Sequence, residues 1–444
     1  MEYVIVLITF LFFIGLLNAL PSKLERYFYF LTGGYMCITL CISLFNPYNL
    51  YKVSTSTYLL ICFGFVSFWL GYICNNRYYR RIIKNTSYQF ETLMSSNKLR
   101  IAVIISYAIM IYLSVIQFFI ILAQGALLSL KVDFFEMVFD NNSILYFFYQ
   151  CLAFPVFYLS SIVFSYVYIN RGFSKKLIIY LIYVIMFCYV GGKRGYFQTF
   201  FEIYIITYIL SKLELGYNVR QMITSSYKAI IILLMVIVGA AYMTSLSSGE
   251  DLSQDKLLES SDKNAKNLII YNIGAYRAFD IALKSDYVGK SGGFHYGLAT
   301  LGGCVEYYAS NSLTRLGVPV ETVRASTMTF LQNEEIRIGQ DTDFNFLYTS
   351  FMYFYYDFGI IGIMLFSFLF GYFVRLCINI YKSDKSVGSF CLVCYMFISC
   401  ILFPAGWFNV ALSAQPTLLL FYFIRKKQVK KQVKRSAVLL KPLE

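Results

Sequence analysis

"YFYYDFGIIGIMLFSFLFGYF", Tyr353 to Phe373, holds one charged side chain, Asp357, and then runs uncharged to its end. Helix rises about 1.5 Å per residue, so about 20 apolar residues cross the roughly 30 Å of a lipid core. Extended to 358–380, this stretch reads as one such span, with its aromatic run seated at the membrane interface. Ten further stretches read the same way: 2–20, 27–46, 55–74, 101–124, 143–169, 175–191, 195–211, 227–246, 387–403 and 409–424. The expectation is an all-α, polytopic membrane helix bundle with about 11 transmembrane helices.

Composition agrees. Apolar residues are 58% of the 444 and charged residues 14%, more apolar surface than a soluble chain of this length can hide. The 41 Tyr and 43 Phe suit many membrane–water crossings. A net charge of +14 would suggest nucleic acid in a soluble protein, but here it follows from Lys/Arg-rich short loops. Ten of the 11 cysteines lie in or beside apolar spans, which argues against a disulfide framework. Cys391 and Cys394 form a lone C-x-x-C inside a span, two ligands short of a zinc site. The first run, Tyr3 to Leu20, lacks a basic leader and a cleavage site and is expected to be a retained span.

The basic clusters set the topology. Lys23 and Arg26, the group from Arg77 to Arg100, Arg171 with Lys175 and Lys176, Lys212 to Lys228, and the tail "RKKQVKKQVKR" (Arg425 to Arg435) share one side if the N-terminus is outside. The positive-inside rule then predicts N-out, C-in. Four regions follow: an N-terminal bundle of about eight spans (1–246), an extracytoplasmic loop (247–345), the last three spans (346–424) and a basic cytoplasmic tail (425–444).

On this map the turn in "VGGKRGYFQTFF" (Val190 to Phe201) faces outward, against the charge bias. Its bland reading is a capped turn touching lipid phosphates. Its functional reading is an anion site: Arg194 offers a planar fork for phosphate, Lys193 a point charge, and Gly195 lets backbone approach at a helix N-terminus.

The outward segment Ser247 to Asn345 carries 13 of the 24 carboxylates and nine basic residues. Ile269, Ile273, Tyr276, Phe279 and Leu283 recur at helical spacing, which predicts an ordered, partly helical cap. Arg277 and Asp280 share a helix face with Lys284 a turn on, either as a local ion pair or as site residues. Arg315, Arg324 and Arg337 are further exterior cations for a phosphate clamp. Glu306, Glu334 and Glu335 are further candidate bases, none marked out by spacing. His295, the only histidine, is a solvated loop residue or a general base. Asp341 and Asp343 form a D-x-D of the kind that holds metal in soluble glycosyltransferases. Glu202 and Asp357 are intramembrane acids, functional by default, whereas Arg375 near a span end can snorkel.

A glycine-framed arginine after a mid-chain span, a long exterior loop late in the chain, and Tyr353 to Phe373 resemble the oligosaccharide repeat-unit polymerases, the Wzy-type O-antigen and capsular polysaccharide family. The specific matches are confined to "GGKRG" and the aromatic–Asp-Phe-Gly–Ile-Ile-Gly stretch. The resemblance implies an inverting, metal-independent transfer of glycan between undecaprenyl-pyrophosphate-linked oligosaccharides at the outer leaflet. It implies no cofactor and no nucleic acid. Partners would be donor and acceptor lipid-linked glycans, membrane lipids, a chain-length regulator and a flippase. The resemblance carries over to Arg194; by residue type and location Arg277, His295 and Asp280 join it as catalytic candidates, and Lys193, Gly195, Arg324 and Arg337 are binding candidates. An O-antigen ligase-like transferase and a polysaccharide or lipid transporter stay open as alternatives.

Overall fold

The computed structural model describes residues 1–75, 97–124, 138, 143–191, 194–217, 221, 254–290, 292–318, 336–340, 342–344, 349–407 and 411–439. In chain order the helices are α1 (Glu2–Leu17), α2 (Lys23–Phe45), α3 (Thr55–Cys74), α4 (Asn97–Gln124), α5 (Ser143–Phe148), α6 (Phe154–Arg171), α7 (Leu177–Gly191) and α8 (Arg194–Glu214). They continue as α9 (Gln254–Lys284), α10 (Tyr287–Lys290), α11 (Leu298–Leu301), α12 (Gly303–Arg315), α13 (Ser350–Asp384), α14 (Val387–Leu402) and α15 (Ala414–Leu439). Among the described residues one antiparallel hairpin, β1 (Ile336–Gly339) with β2 (Thr342–Phe344), interrupts them.

The protein is therefore mostly helical. Among the described residues five helices are long and apolar enough to cross a membrane: Lys23–Phe45, Thr55–Cys74, Leu99–Phe119, Ile144–Arg171 and Ser350–Asp384. Glu2–Leu17, Leu177–Val190 and Val387–Leu402 are shorter apolar helices. The expected span at 227–246 lies outside the described residues. Helix α15 does not stop where the apolar run ends but continues through the basic tail, because Lys, Arg and Gln are good helix formers and no Gly or Pro follows Pro416 before Leu439.

Packing divides the chain into two units. The first joins Met1–Ile82, Leu268–Lys385 and Tyr395–Gln415, so most of the expected loop 247–345 belongs with α1–α3. Its centre is the pairing of α3 with α13. A Cβ on Gly71 would overlap the Phe368 carbonyl, and one on Gly371 would overlap the Phe68 carbonyl. This reciprocal glycine contact lets two backbones touch, the means by which helices associate where lipid removes the hydrophobic drive. Around it Phe65, Phe68, Phe351, Phe370 and Trp407 ring Phe403, with centroids 5.1–6.3 Å from it.

At one end of this crossing the sequence reading of Arg375 needs correction. Its guanidinium does not snorkel. It is buried, 3.0 Å from Glu25 and 5.2 Å from the Tyr72 ring centre. Glu25 also pairs with Lys382 and closes a capping box with Ser22 at the start of α2. A buried arginine is tolerated because the carboxylate meets it.

The second unit joins Ile83–Asn267, Ser386–Cys394 and Pro416–Glu444. A π-turn, Tyr149–Ala153, links α5 to α6, and the Tyr183 hydroxyl donates to the Ala153 carbonyl at 2.9 Å. Tyr149, Phe157 and Tyr196 close around Phe187 at 4.4–5.5 Å. Gln428 of α15 accepts the Val387 N–H at 3.0 Å, capping α14.

Two measurements test this packing. Replacing Gly71 or Gly371 by Val forces the crossing apart and is expected to cost about 1–3 kcal/mol or more, read as a lower Tm in detergent. Gly34→Ala has open space around its Cβ and should hold or raise Tm. Glu25→Gln leaves Arg375 charged and buried, and about 3–5 kcal/mol of destabilisation is expected in the same assay.

Candidate functional site

Helix α13 is broken inside the stretch that opened the sequence reading. Phe358 and Gly359 leave helical geometry, and Gly359 takes φ +61°, a left-handed conformation that favours glycine. The aromatic run before the break is therefore not a straight extension of the span. It folds back, with Phe354 packed 5.5 Å from Phe366. A break orphans the carbonyls of the preceding turn, and the loop after α10 supplies their donors. The His295 N–H donates to the Tyr356 carbonyl at 3.0 Å and the Tyr296 N–H to the Asp357 carbonyl at 3.3 Å. The buried Asp357 carboxylate accepts the Ala299 and Thr300 N–H groups at 3.0 and 2.9 Å, at the start of α11.

This arrangement leaves polar atoms facing inward. His295 Nε2, the Tyr356 hydroxyl and the Thr300 hydroxyl have no hydrogen-bond partner among the described residues. The His295 and Tyr356 rings lie 5.9 Å apart. Burial holds the imidazole below its ordinary value near 6.5, while Asp357 draws it back up. His295 is thus a half-buried, neutral imidazole fixed by its own backbone, not a freely solvated loop residue.

Arg277 and Asp280 also sit in the first unit, but they do not pair with each other. Arg277 is buried and donates from Nη1 to the Ser43 hydroxyl (3.2 Å) and the Ile273 carbonyl (2.9 Å). From Nη2 it donates to the Ser43 carbonyl (3.1 Å) and Asn46 Oδ1 (2.9 Å). It therefore caps the C-terminus of α2, the negative end of a helix dipole. Asp280 accepts from the Ser54 N–H (3.2 Å), the Ser54 hydroxyl and the Thr57 hydroxyl (2.7 Å), so it holds the residue that caps the N-terminus of α3. Lys284 completes it at 2.6 Å. Burial pushes this carboxyl up, but Lys284, Ser54 and Thr57 together outweigh burial and hold it below the usual carboxylate range. Geometry gives both residues a clamping role at helix ends.

The remaining candidates scatter. Helix α8 begins at Arg194 and α7 ends at Gly191, so the charged turn does lie between two helices, but Lys193 and the side chains of Arg194 and Gly195 lie outside the described residues. Arg324, Glu334, Glu335 and Asp341 lie outside them too, as do the side chains of Arg315 and Asp343. Arg337 is exposed on β1. Glu202 accepts from Gln198 one turn earlier at 2.8 Å, a local solution for an acid on an apolar helix. Sequence reasoning missed Tyr356 and Thr300 entirely, and it noted Asp357 only as an acid in an apolar run. The available signal was an acid placed two residues before a glycine within a span.

No protein-family model, curated protein or solved structure matches the chain.

The clamp is testable by pH. The Asp280 pKa is depressed in the folded state, so its stabilisation is complete above the ordinary carboxylate value and is lost as pH falls through the depressed one. Asp280→Asn should cost about 1–3 kcal/mol at neutral pH, read as a lower Tm, and flatten the acid side of the stability profile.

Proposed function

We propose that the protein is a membrane glycosyltransferase that polymerises undecaprenyl-pyrophosphate-linked oligosaccharide repeat units into O-antigen or capsular polysaccharide. In this reading about 11 spans cross a bacterial inner membrane, N-out and C-in, with the chemistry on the periplasmic or outer side. What supports it is one observation. The stretch that carries the resemblance, Tyr353 to Phe373, is also the stretch whose break receives the His295 loop, through the 3.0 Å bond to the Tyr356 carbonyl.

The transfer runs without metal or cofactor. An acceptor sugar hydroxyl attacks the anomeric carbon of the donor glycan, and the bond from that carbon to pyrophosphate oxygen breaks. The electron pair leaves with undecaprenyl pyrophosphate, and the hydroxyl proton goes to His295 Nε2. A neutral imidazole can take that proton at neutral pH, since burial lowers its pKa. Negative charge grows on the leaving group, and the resemblance, not a pocket shared with His295, is what gives that charge to Arg194, Lys193 and Gly195. Arg324 and Arg337 are secondary candidates for the same charge. Arg277 and Asp280 enter as the clamp that holds α2 and α3, not as groups touching substrate.

Deleting the gene should erase the long-chain ladder of surface glycan on a gel while single repeat units stay displayed. Loss of all attached repeats, with long lipid-linked glycan accumulating, would instead identify a ligase. Arg194→Ala should shorten chains without lowering membrane insertion. On purified lipid-linked repeats, kcat/KM should hold above pH 6.5 and fall as pH drops through the lowered His295 pKa. His295→Gln should cost about 10²- to 10⁴-fold and abolish that acid limb.

A further inference from the structure

Between Gly292 and Val305 the sequence "GGFHYGLATLGGCV" has no charged residue, although the surrounding segment holds 13 of the 24 carboxylates. Much of its backbone is satisfied by protein. Gly293, His295 and Tyr296 donate to the carbonyls of Val288, Tyr356 and Asp357, and Leu298, Leu301 and Gly302 donate to carbonyls inside the stretch. Ala299 and Thr300 donate to the Asp357 carboxylate, and Val305 donates to Gln415 Oε1. The Thr300 carbonyl accepts from Trp407, and the Leu301 carbonyl from Gln415. A loop in water needs no such set of partners, because water supplies them. A loop in lipid does, because an unsatisfied peptide group there is costly.

The side chains have the opposite character. Tyr296 is 76% exposed and Leu301 62%, and Phe294, Leu298 and Val305 are exposed as well. This patch continues the apolar face of a helix long enough to cross a membrane. Phe294 lies against Gly359, and Tyr296 meets the Phe358 ring edge-on at 6.0 Å. Ile360, Ile361, Met364 and Leu365 carry the exposed stripe on along α13, with Ile361 72% exposed. A contiguous apolar surface of this kind is unusual on a face bathed by water.

We propose that residues 292–305 are seated in the bilayer, at the boundary between headgroups and acyl chains, with phospholipid as the partner of Phe294, Tyr296, Leu298 and Leu301. The backbone bonds along much of the loop make seating at this boundary possible, and the exposed apolar side chains make it favourable. Tyr296 has the ring and hydroxyl that settle at such a boundary. The inference stands apart from the catalytic reading, since it needs no substrate. It does fix the depth of His295, which the same backbone bonds hold beside the patch.

The test uses the full chain in phosphatidylcholine vesicles, with Tyr296→Trp and Leu301→Trp as separate reporters against the two native tryptophans, both buried. Lipid brominated near the glycerol end should quench the added emission at least twofold, while aqueous iodide leaves it nearly unchanged. Either variant suffices if the other fails to fold. Quenching by iodide with no effect of brominated lipid overturns the proposal. So does emission that brominated lipid never reaches and that only a soluble oligosaccharide shields from iodide, which would make the face a glycan surface.

Discussion

The α2–α3 connection hangs on two opposite charges three residues apart on one helix. Helix α2 ends in carbonyls without partners and α3 begins with N–H groups without partners. Arg277 meets the Ser43 carbonyl of the first set, and Asp280 holds Ser54, whose hydroxyl accepts the Thr57 N–H of the second. Each charge is matched to the dipole end that favours it, so neither needs the other. The connecting residues are held from the far side as well, where the Tyr51 N–H donates to the Ile338 carbonyl of β1. Gly274 packs against Ile338 and Phe344, so α9, the hairpin and the α2–α3 turn form one assembly. The polar contacts continue along α2, where Tyr35 and Thr39 meet Asn272 and Tyr276. Most of the segment that reads as an external cap thus packs in one unit with α1–α3.

Membrane-length helices were legible in the sequence because their signal is additive. Twenty apolar residues carry the same message whatever surrounds them, and α2, α3, α6 and α13 needed no tertiary information. Charges are different, since a charge declares only that it requires a partner. Arg277 and Asp280 read as neighbours on one helix face and Arg375 as a cation near a span end, but their partners, Ser43, Ser54 and Glu25, lie hundreds of residues away in the chain. No local spacing reports such a pairing. The same limit applies to His295. Its loop glycines gave the position of a turn, but its protonation depends on the helix break that receives it.

The break itself was half legible. Gly359 and Gly362 stand three apart in an apolar run, which invites a close helix contact. Their actual use differs. Gly359 supplies the left-handed turn, and Gly362 lets the Phe354 carbonyl approach where a Cβ would overlap it. One pair of glycines therefore reverses the chain, whereas Gly71 and Gly371 join two helices. Nothing in the sequence separates these two uses, because both require only the absence of a side chain.

Breaking a helix within an apolar stretch exposes peptide groups where water is scarce, and α13 shows the consequence. The loop from Gly292 to Val305 is held by the groups that the break releases, the carbonyls of Tyr356 and Asp357, and by the carboxylate that immediately precedes it. Asp357 is thus a fixed feature of the break. It satisfies the first turn of α11, at the positive end of that short helix, and its backbone continues into the turn itself. Moving the carboxylate by one residue would detach the loop and leave two peptide N–H groups buried without an acceptor. The acid, the glycine and the histidine loop therefore form one structural decision, and the orphaned hydroxyl and imidazole groups beside them are its chemical product.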